Sequence, residues 1–155
     1  MGKLALKQGQ MLQALERLDE SIFDLQKLET FTEKQLAIIE ELNIFEEKRE
    51  FRSKRDSVIQ RFELCTDLFW KYLKRYLTEK MQITLEAVGP TGIIRTAHQT
   101  KLLTEEDTEK LLQMIKDRNH SSHIYKEKKA DEIVDNVPTY YKLMKKYIDK
   151  LTPLG

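Results

Sequence analysis

His98, His120 and His123 are the three histidines among 155 residues. Two of them fall within Asp117-Arg118-Asn119-His120-Ser121-Ser122-His123-Ile124-Tyr125, which also gathers an arginine, an asparagine, two serines and a tyrosine. Four kinds of chemistry are open to such a segment. His120 and His123 stand three apart on one helix face and suit a metal pair, but a catalytic zinc needs a third ligand, and none stands at ligand spacing. Ser beside His suits a hydrolase, but the nucleophile-elbow pattern and a third orienting group are missing. Arg118 and His123 can also serve structure alone, by satisfying carbonyls at a helix end. The fourth is phosphodiester chemistry. Arginine grips phosphate with two parallel hydrogen bonds and keeps its charge. Histidine moves a proton near neutral pH. Together they suit metal-free RNA cleavage, because the 2′-OH is an internal nucleophile. In-line cleavage needs a base and an acid, and a homodimer supplies two such histidines across its two-fold axis.

Arg55, Asp56, Gln60, Arg61 and Glu63 are polar positions on a largely apolar helix. They read as a structural charge network, unless Arg55 or Arg61 faces the Arg118–His123 end and binds RNA phosphate there. Phe62, Phe69 and Trp70 read as core rather than as stacking platforms for bases. His98 reads as a surface residue and Cys65 as an inert core thiol. A single cysteine excludes an internal disulfide and any Cys-based zinc site, which points to the cytosol. No cofactor is implied.

What must position these residues is helical. No Gly or Pro occurs from Gln10 to Val88, 79 consecutive residues, a run that all-β and Rossmann-type folds cannot sustain. GxGxxG and GxxxxGK[ST] loops are absent. One straight helix of that length would span about 119 Å at ~1.5 Å per residue, so the chain must reverse within it. Leu4, Met11, Leu15, Leu18, Ile22 and Leu25 mark a first helix with a narrow apolar seam. Thr30 to Glu50 is acidic and irregular. It is either a second helix, with Thr32 and Gln35 as a capping box, or a bent continuation of the first. From about Phe51 to Glu79, the residues Val58, Phe62, Cys65, Phe69 and Leu73, widened by Ile59, Leu68, Trp70, Tyr72 and Tyr76, predict a helix central to a bundle. After the Val88–Gly92 loop, Ile93, Ile94 and Ala97 resume a helix. Thr104 with Asp107 caps another that runs to about Arg118. A last helix covers about Lys128 to Leu151, with Pro138 inside it as a kink. The expected architecture is all-α: an up-down bundle of four long helices with one or two short ones, in one domain over residues 1–155.

Charge is uneven. Residues 1–50 carry 7 basic and 11 acidic side chains, residues 51–80 carry 8 and 4, and residues 81–155 carry 12 and 11. The overall net charge of +1 does not mark a general nucleic-acid binder. No apolar run is long enough to cross a membrane, the N-terminus lacks a signal-peptide core, and Leu6 breaks a myristoylation pattern.

Arg55-Asp56-Ser57-Val58-Ile59-Gln60-Arg61-Phe62-Glu63 followed by Trp70-Lys71, then Pro90 to Ala97, then Asp117-Arg118-Asn119 to His123-Ile124-Tyr125, resembles three signatures of the prokaryotic nucleotidyltransferase substrate-binding proteins, in their order. The resemblance covers roughly Lys54 to Leu151, and the acidic stretch Thr30–Glu50 is longer than is usual there. These proteins belong to the HEPN superfamily of helical bundles. The resemblance implies pairing with a minimal nucleotidyltransferase, often as a toxin–antitoxin system whose toxin is a metal-independent, homodimeric ribonuclease of the cytoplasm. It implies catalysis by Arg118 and His123 with Asn119 and His120 in support. Tyr125 is similar to the tyrosine that the partner modifies with AMP in HepT-type toxins; the added charge would repel RNA phosphate. The other function the resemblance implies is a non-catalytic subunit that presents a substrate or nucleotide to the nucleotidyltransferase.

Overall fold

The computed structural model describes residues 2–42, 44–86, 88–121 and 127–153, with the side chains of 29–42, 44–48, 127 and 128 left aside. Five α-helices carry this part of the chain: α1 (Gly2–Leu42), α2 (Ile44–Arg75), α3 (Pro90–Gln99), α4 (Glu105–Ser121) and α5 (Glu127–Lys150). A single π-helical turn, Tyr76–Lys80, continues α2. No strand occurs among the described residues, and no helix there is long and apolar enough to cross a membrane.

The Gly- and Pro-free run is divided between two helices, α1 as far as Leu42 and α2 from Ile44. The two helices are antiparallel: Gly2 and Leu4 share a groove with Glu79 and Lys80, whereas Ile22 and Leu25 lie with Val58. Of the two conformations open for residues 30–50, α1 takes the continuous one as far as Leu42, so Thr32 and Gln35 do not start a helix. A capping box needs a non-helical first residue, and the run of Glu, Lys, Gln, Leu, Ala and Ile after Thr32 favours helix throughout.

Helix α2 touches every other helix, as the breadth of its apolar arc predicts. Val58, Phe62, Cys65, Phe69, Tyr72 and Leu73 are buried along it. They join Leu4 to Leu25 of α1, Ile93 to Ala97 of α3, Leu111 to Ile115 of α4, Ile133 to Ile148 of α5 and Leu151 just beyond it in one core. Cross-helix contacts give the directions. Gln8 Nε2 donates to the Ile148 carbonyl at 3.2 Å, while Ile22 and Leu25 share a groove with Val134 and Pro138, so α5 runs against α1. Arg55 meets Asp131 near one end of α2, and the Tyr72 hydroxyl donates to the Leu151 carbonyl at 2.5 Å near the other, so α5 runs with α2. Asp107 pairs with Tyr147 and Asp117 with Tyr140, so α4 opposes α5. The four long helices therefore alternate up and down, with α3 as the short addition. Pro138 stands inside α5, which remains helical on both sides of it.

Three local details were not predicted. The π-turn closes with Met81 N–H to the Tyr76 carbonyl at 3.1 Å and inserts Leu77 into the core. Helix α3 starts with Gly89 as N-cap and Pro90 in the first turn. It ends with Lys101 at φ 67°, where Lys101 N–H reaches the His98 carbonyl and Leu102 N–H the Ala97 carbonyl; this is a Schellman closure without its usual glycine. At the start of α4, Asp107 N–H donates to Thr104 Oγ1 at 3.1 Å, as the capping box predicts. The Asp107 carboxylate, however, mainly serves tertiary structure, accepting from Tyr147 Oη at 2.5 Å and Lys146 Nζ at 2.8 Å.

Burial pushes the Asp107 carboxyl up, but the hydrogen bonds from Lys146 and Tyr147 outweigh it and hold it below its ordinary value of 3.8. A group bound more tightly when ionised stabilises the fold above its unfolded pKa, and that gain is lost as pH falls through the folded one. Between pH 5 and pH 3, the urea midpoint should therefore fall less in Asp107→Asn than in the parent, once each is compared with its own value at pH 7. Thr66 makes a second test, since its buried hydroxyl has no partner among the described residues. An unmade buried hydrogen bond costs about 1–3 kcal/mol. Thr66→Val should raise the melting temperature by about 2–4 °C per kcal/mol recovered.

Candidate functional site

The last turn of α4 carries Arg118, Asn119, His120 and Ser121. Leu111, Met114 and Ile115 seat the helix in the core, and Asp117 fixes its rotation. Asp117 is only 3% exposed. Its carboxylate accepts from Tyr140 Oη at 2.6 Å and Gln113 Nε2 at 3.0 Å, with Asn136 Nδ2 at 3.5 Å. A buried carboxylate is tolerated only when so supplied. Burial and the Asp117 carboxylate together push the Tyr140 phenol above its ordinary range, so it remains a donor. The Tyr140 ring in turn stacks on Phe62 with centroids 5.7 Å apart. One chain of contacts thus joins α4, α5 and α2.

With Asp117 turned toward α5, the next side chain meets α2. Arg118 Nε and Nη2 donate to the two oxygens of Asp67 at 3.2 and 3.1 Å, and Nη1 lies 3.0 Å from Glu63 Oε2. The hydrogen bond to Asp67, against some loss to burial, raises the Arg118 pKa further. Two carboxylates, one turn apart on α2, therefore hold one permanent cation by a bidentate grip and a third contact. Ser121 Oγ donates to the Arg118 carbonyl at 2.7 Å, satisfying part of the helix end. Asn119 and His120 are exposed on the same turn. His123 and Tyr125 lie outside the described residues.

Arg55 and Arg61, the two other nominated arginines, do not join this cluster. Arg55 is buried, with Nε 3.4 Å from Asp56 and Nη1 3.4 Å from Asp131, so it ties α2 to the first turns of α5, the structural network expected of it. Arg61 bonds Ser57 Oγ at 3.4 Å and lines the groove between α1 and α2. Phe62 and Phe69 are core, Trp70 packs against it, and His98 is half-buried. Cys65 is buried, which pushes its thiol up to about 12 despite the pull of Arg61; it is un-ionised at neutral pH. Among the described residues no three His, Cys, Asp or Glu side chains are grouped to hold a metal ion.

Asp67 and Tyr140 are the site-building residues that the motif did not single out. The available signal was the four-residue spacing of Glu63 and Asp67, two acids on one face of an otherwise basic helical segment. Tyr140→Phe should test the scaffold under the site: it leaves Asp117 short of its closest donor, and a buried acceptor so deprived costs about 1–3 kcal/mol in urea unfolding.

Curated proteins yield no match. A crystal structure of a protein from Thermus thermophilus is 31% identical over 86% of this chain and 98% of its own, with a TM-score of 0.61. The family described as "nucleotidyltransferase substrate binding protein like" matches residues 13–153, a span that includes the Arg118 cluster and all five helices but for the first turns of α1. The chain belongs to the nucleotidyltransferase substrate binding protein-like family.

Proposed function

We propose that the protein is the helical partner of a separate, minimal nucleotidyltransferase chain in the cytoplasm, and that it binds the acceptor substrate rather than carrying out the transfer. The family match over residues 13–153 carries this reading. The state of Arg118 agrees with it. An RNA phosphate at Arg118 would compete with Asp67 and Glu63, both already within 3.2 Å, and two carboxylates around one guanidinium leave the cluster with a formal negative charge that opposes an anion.

The second reading is a metal-independent ribonuclease toxin that works as a homodimer. It is favoured by the rigid seating of Arg118 at the end of α4, five positions before His123 and seven before Tyr125. In this reading Arg118 grips the scissile phosphate after release from Asp67, His123 moves the proton, and Asn119 and His120 assist. AMP on Tyr125, placed there by the nucleotidyltransferase, silences the enzyme by charge and bulk.

One pair of measurements divides the two. Co-expressed with a minimal nucleotidyltransferase chain from the same genome, the protein should co-purify as a stable complex. Alone, with RNA in EDTA, it should cleave no faster than its His123→Ala variant. Cleavage in EDTA that this substitution abolishes in a folded protein would transfer the assignment to the ribonuclease reading. Failure to associate with the nucleotidyltransferase would remove the first one.

A further inference from the structure

The carboxylates of this molecule are spent on some arginines and withheld from others. Arg118, Arg55 and Arg75 each have an acidic partner within 3.4 Å. Arg17 on α1 and Arg61 on α2 have no carboxylate within ion-pair distance among the described residues, yet they line one groove. The groove has a volume of about 160 Å³. Its floor is Ala14, Leu64 and Leu68, the Gln13 amide stands beside them, and no aspartate or glutamate lines it. Leu64 is 54% exposed, so the groove keeps apolar surface open to solvent beside the two arginines.

The two halves of this lining ask for two different things. Paired guanidiniums from adjacent helices suit the oxygens of one phosphate, which each can grip through a planar fork of donors. An apolar floor of this size suits a flat ring, since a cavity of about 150 Å³ accepts benzene, and the neighbouring amide supplies a donor and an acceptor for a ring edge. The groove is open to solvent along the helix pair, so the remainder of a ligand has room to extend. Nor is Arg61 occupied from its own side: its helical neighbours one turn away are Ser57, which accepts only a 3.4 Å bond, and Cys65, a neutral thiol.

We propose that the α1/α2 groove, between Arg17 and Arg61 and over Ala14, Leu64 and Leu68, is a binding site for a nucleoside monophosphate. The proposal rests on the substrate-binding reading above and locates the substrate's phosphate at Arg61 and Arg17, away from Arg118. The site is specific in a checkable way: phosphate alone meets only the arginines, the nucleoside alone meets only the floor, and the joined molecule meets both.

The test is calorimetric titration of the full-length protein with AMP, adenosine and inorganic phosphate, each at two salt concentrations. AMP should bind saturably with a dissociation constant below about 1 mM, at least tenfold more tightly than either fragment, and more weakly at high salt. Arg17→Gln and Arg61→Gln should each weaken AMP tenfold or more. Leu64→Gln should weaken AMP while leaving phosphate unchanged. All three positions are at least partly solvent-exposed, so their circular dichroism should match the parent. No detectable AMP binding at millimolar concentration overturns the proposal, as does binding that survives in the Arg17→Gln, Arg61→Gln double variant. The same proteins are assayed for association with the nucleotidyltransferase chain. Association that is lost in the arginine variants, without AMP binding in the parent, makes the groove a polypeptide site and also overturns the proposal. If the parent fails to associate at all, it is the partner-subunit reading that falls, whatever the titration shows.

Discussion

Everything in this fold is arranged around the need to keep one helix dry. The apolar arc of α2 is too broad for a single neighbour: Val58, Phe62, Cys65, Phe69 and Leu73 look one way, and Ile59, Thr66 and Tyr72 extend the arc to either side. An amphipathic stripe about a third of the way round is covered by one or two partners, and a wider one draws in more. Helices α1, α3, α4 and α5 all pack on it. Because α2 cannot shift without exposing several large side chains at once, it serves as the fixed reference against which the polar residues of the other helices acquire their positions. At roughly 25 cal/mol per Å² of apolar surface, slippage of even one such ring would cost on the order of a few kcal/mol, which is a large part of a typical domain's net stability.

Polar chemistry is then placed by what α2 leaves uncovered. Two of its edges remain partly open. On one, Glu63 and Asp67 receive Arg118 from α4. On the other, Arg61, Leu64 and Leu68 face Arg17 and Gln13 of α1. The edges differ in kind. The first is an ion cluster in which one guanidinium meets two carboxylates, and its geometry is fixed by Asp117, one residue away, and by the Tyr140 hydroxyl that holds Asp117. The second presents cations with no acids among its lining. The same helix thus separates a structural use of arginine from an available one, and local ion pairing, rather than the number of basic residues, decides which is which.

This difference explains how much of the molecule was legible from its sequence. Helix order and the bounds of α4 and α5 follow closely from periodicity, because the burial of Val58, Phe62, Phe69, Ile133, Val137 or Ile148 is a local property repeated every three or four residues, whereas α2 starts at Ile44, ahead of the expected Phe51, and α3 at Pro90, inside the expected loop. The continuation of α1 through Thr32 was not legible: a capping box and a mid-helix Thr-x-x-Gln are the same four letters, and only the neighbouring turns choose between them. The π-turn at Tyr76 and the left-handed Lys101 were hidden for a related reason, since both are adjustments made to seat Leu77 and Ala97 in a core that other helices define. Candidate site residues were the hardest. The motif singled out the end of α4, where the structure has a buried Asp117 and an anchored Arg118, but motif spacing carries no information on a cation's partners. Glu63 and Asp67 lie about fifty residues upstream of Arg118, and nothing short of tertiary structure brings them to it.

The clamp also sets a condition on any function assigned to Arg118. For the guanidinium to grip an external phosphate, it must leave a bidentate carboxylate and one further contact, all made at less than half exposure. Such charge-assisted bonds contribute roughly 1.5–3 kcal/mol each, and the abandoned acids would then face each other and the incoming anion across one helical turn. A ligand at this end must therefore bring its own cation, protonate an acid, or arrive with a partner surface that supplies positive charge to Glu63 and Asp67. The last route makes association with another polypeptide a precondition for Arg118 chemistry rather than its consequence. As it stands, the cluster matches Arg118 with acids of its own fold, whereas Arg61 and Arg17, on another edge of α2, have no carboxylate within ion-pair distance among the described residues.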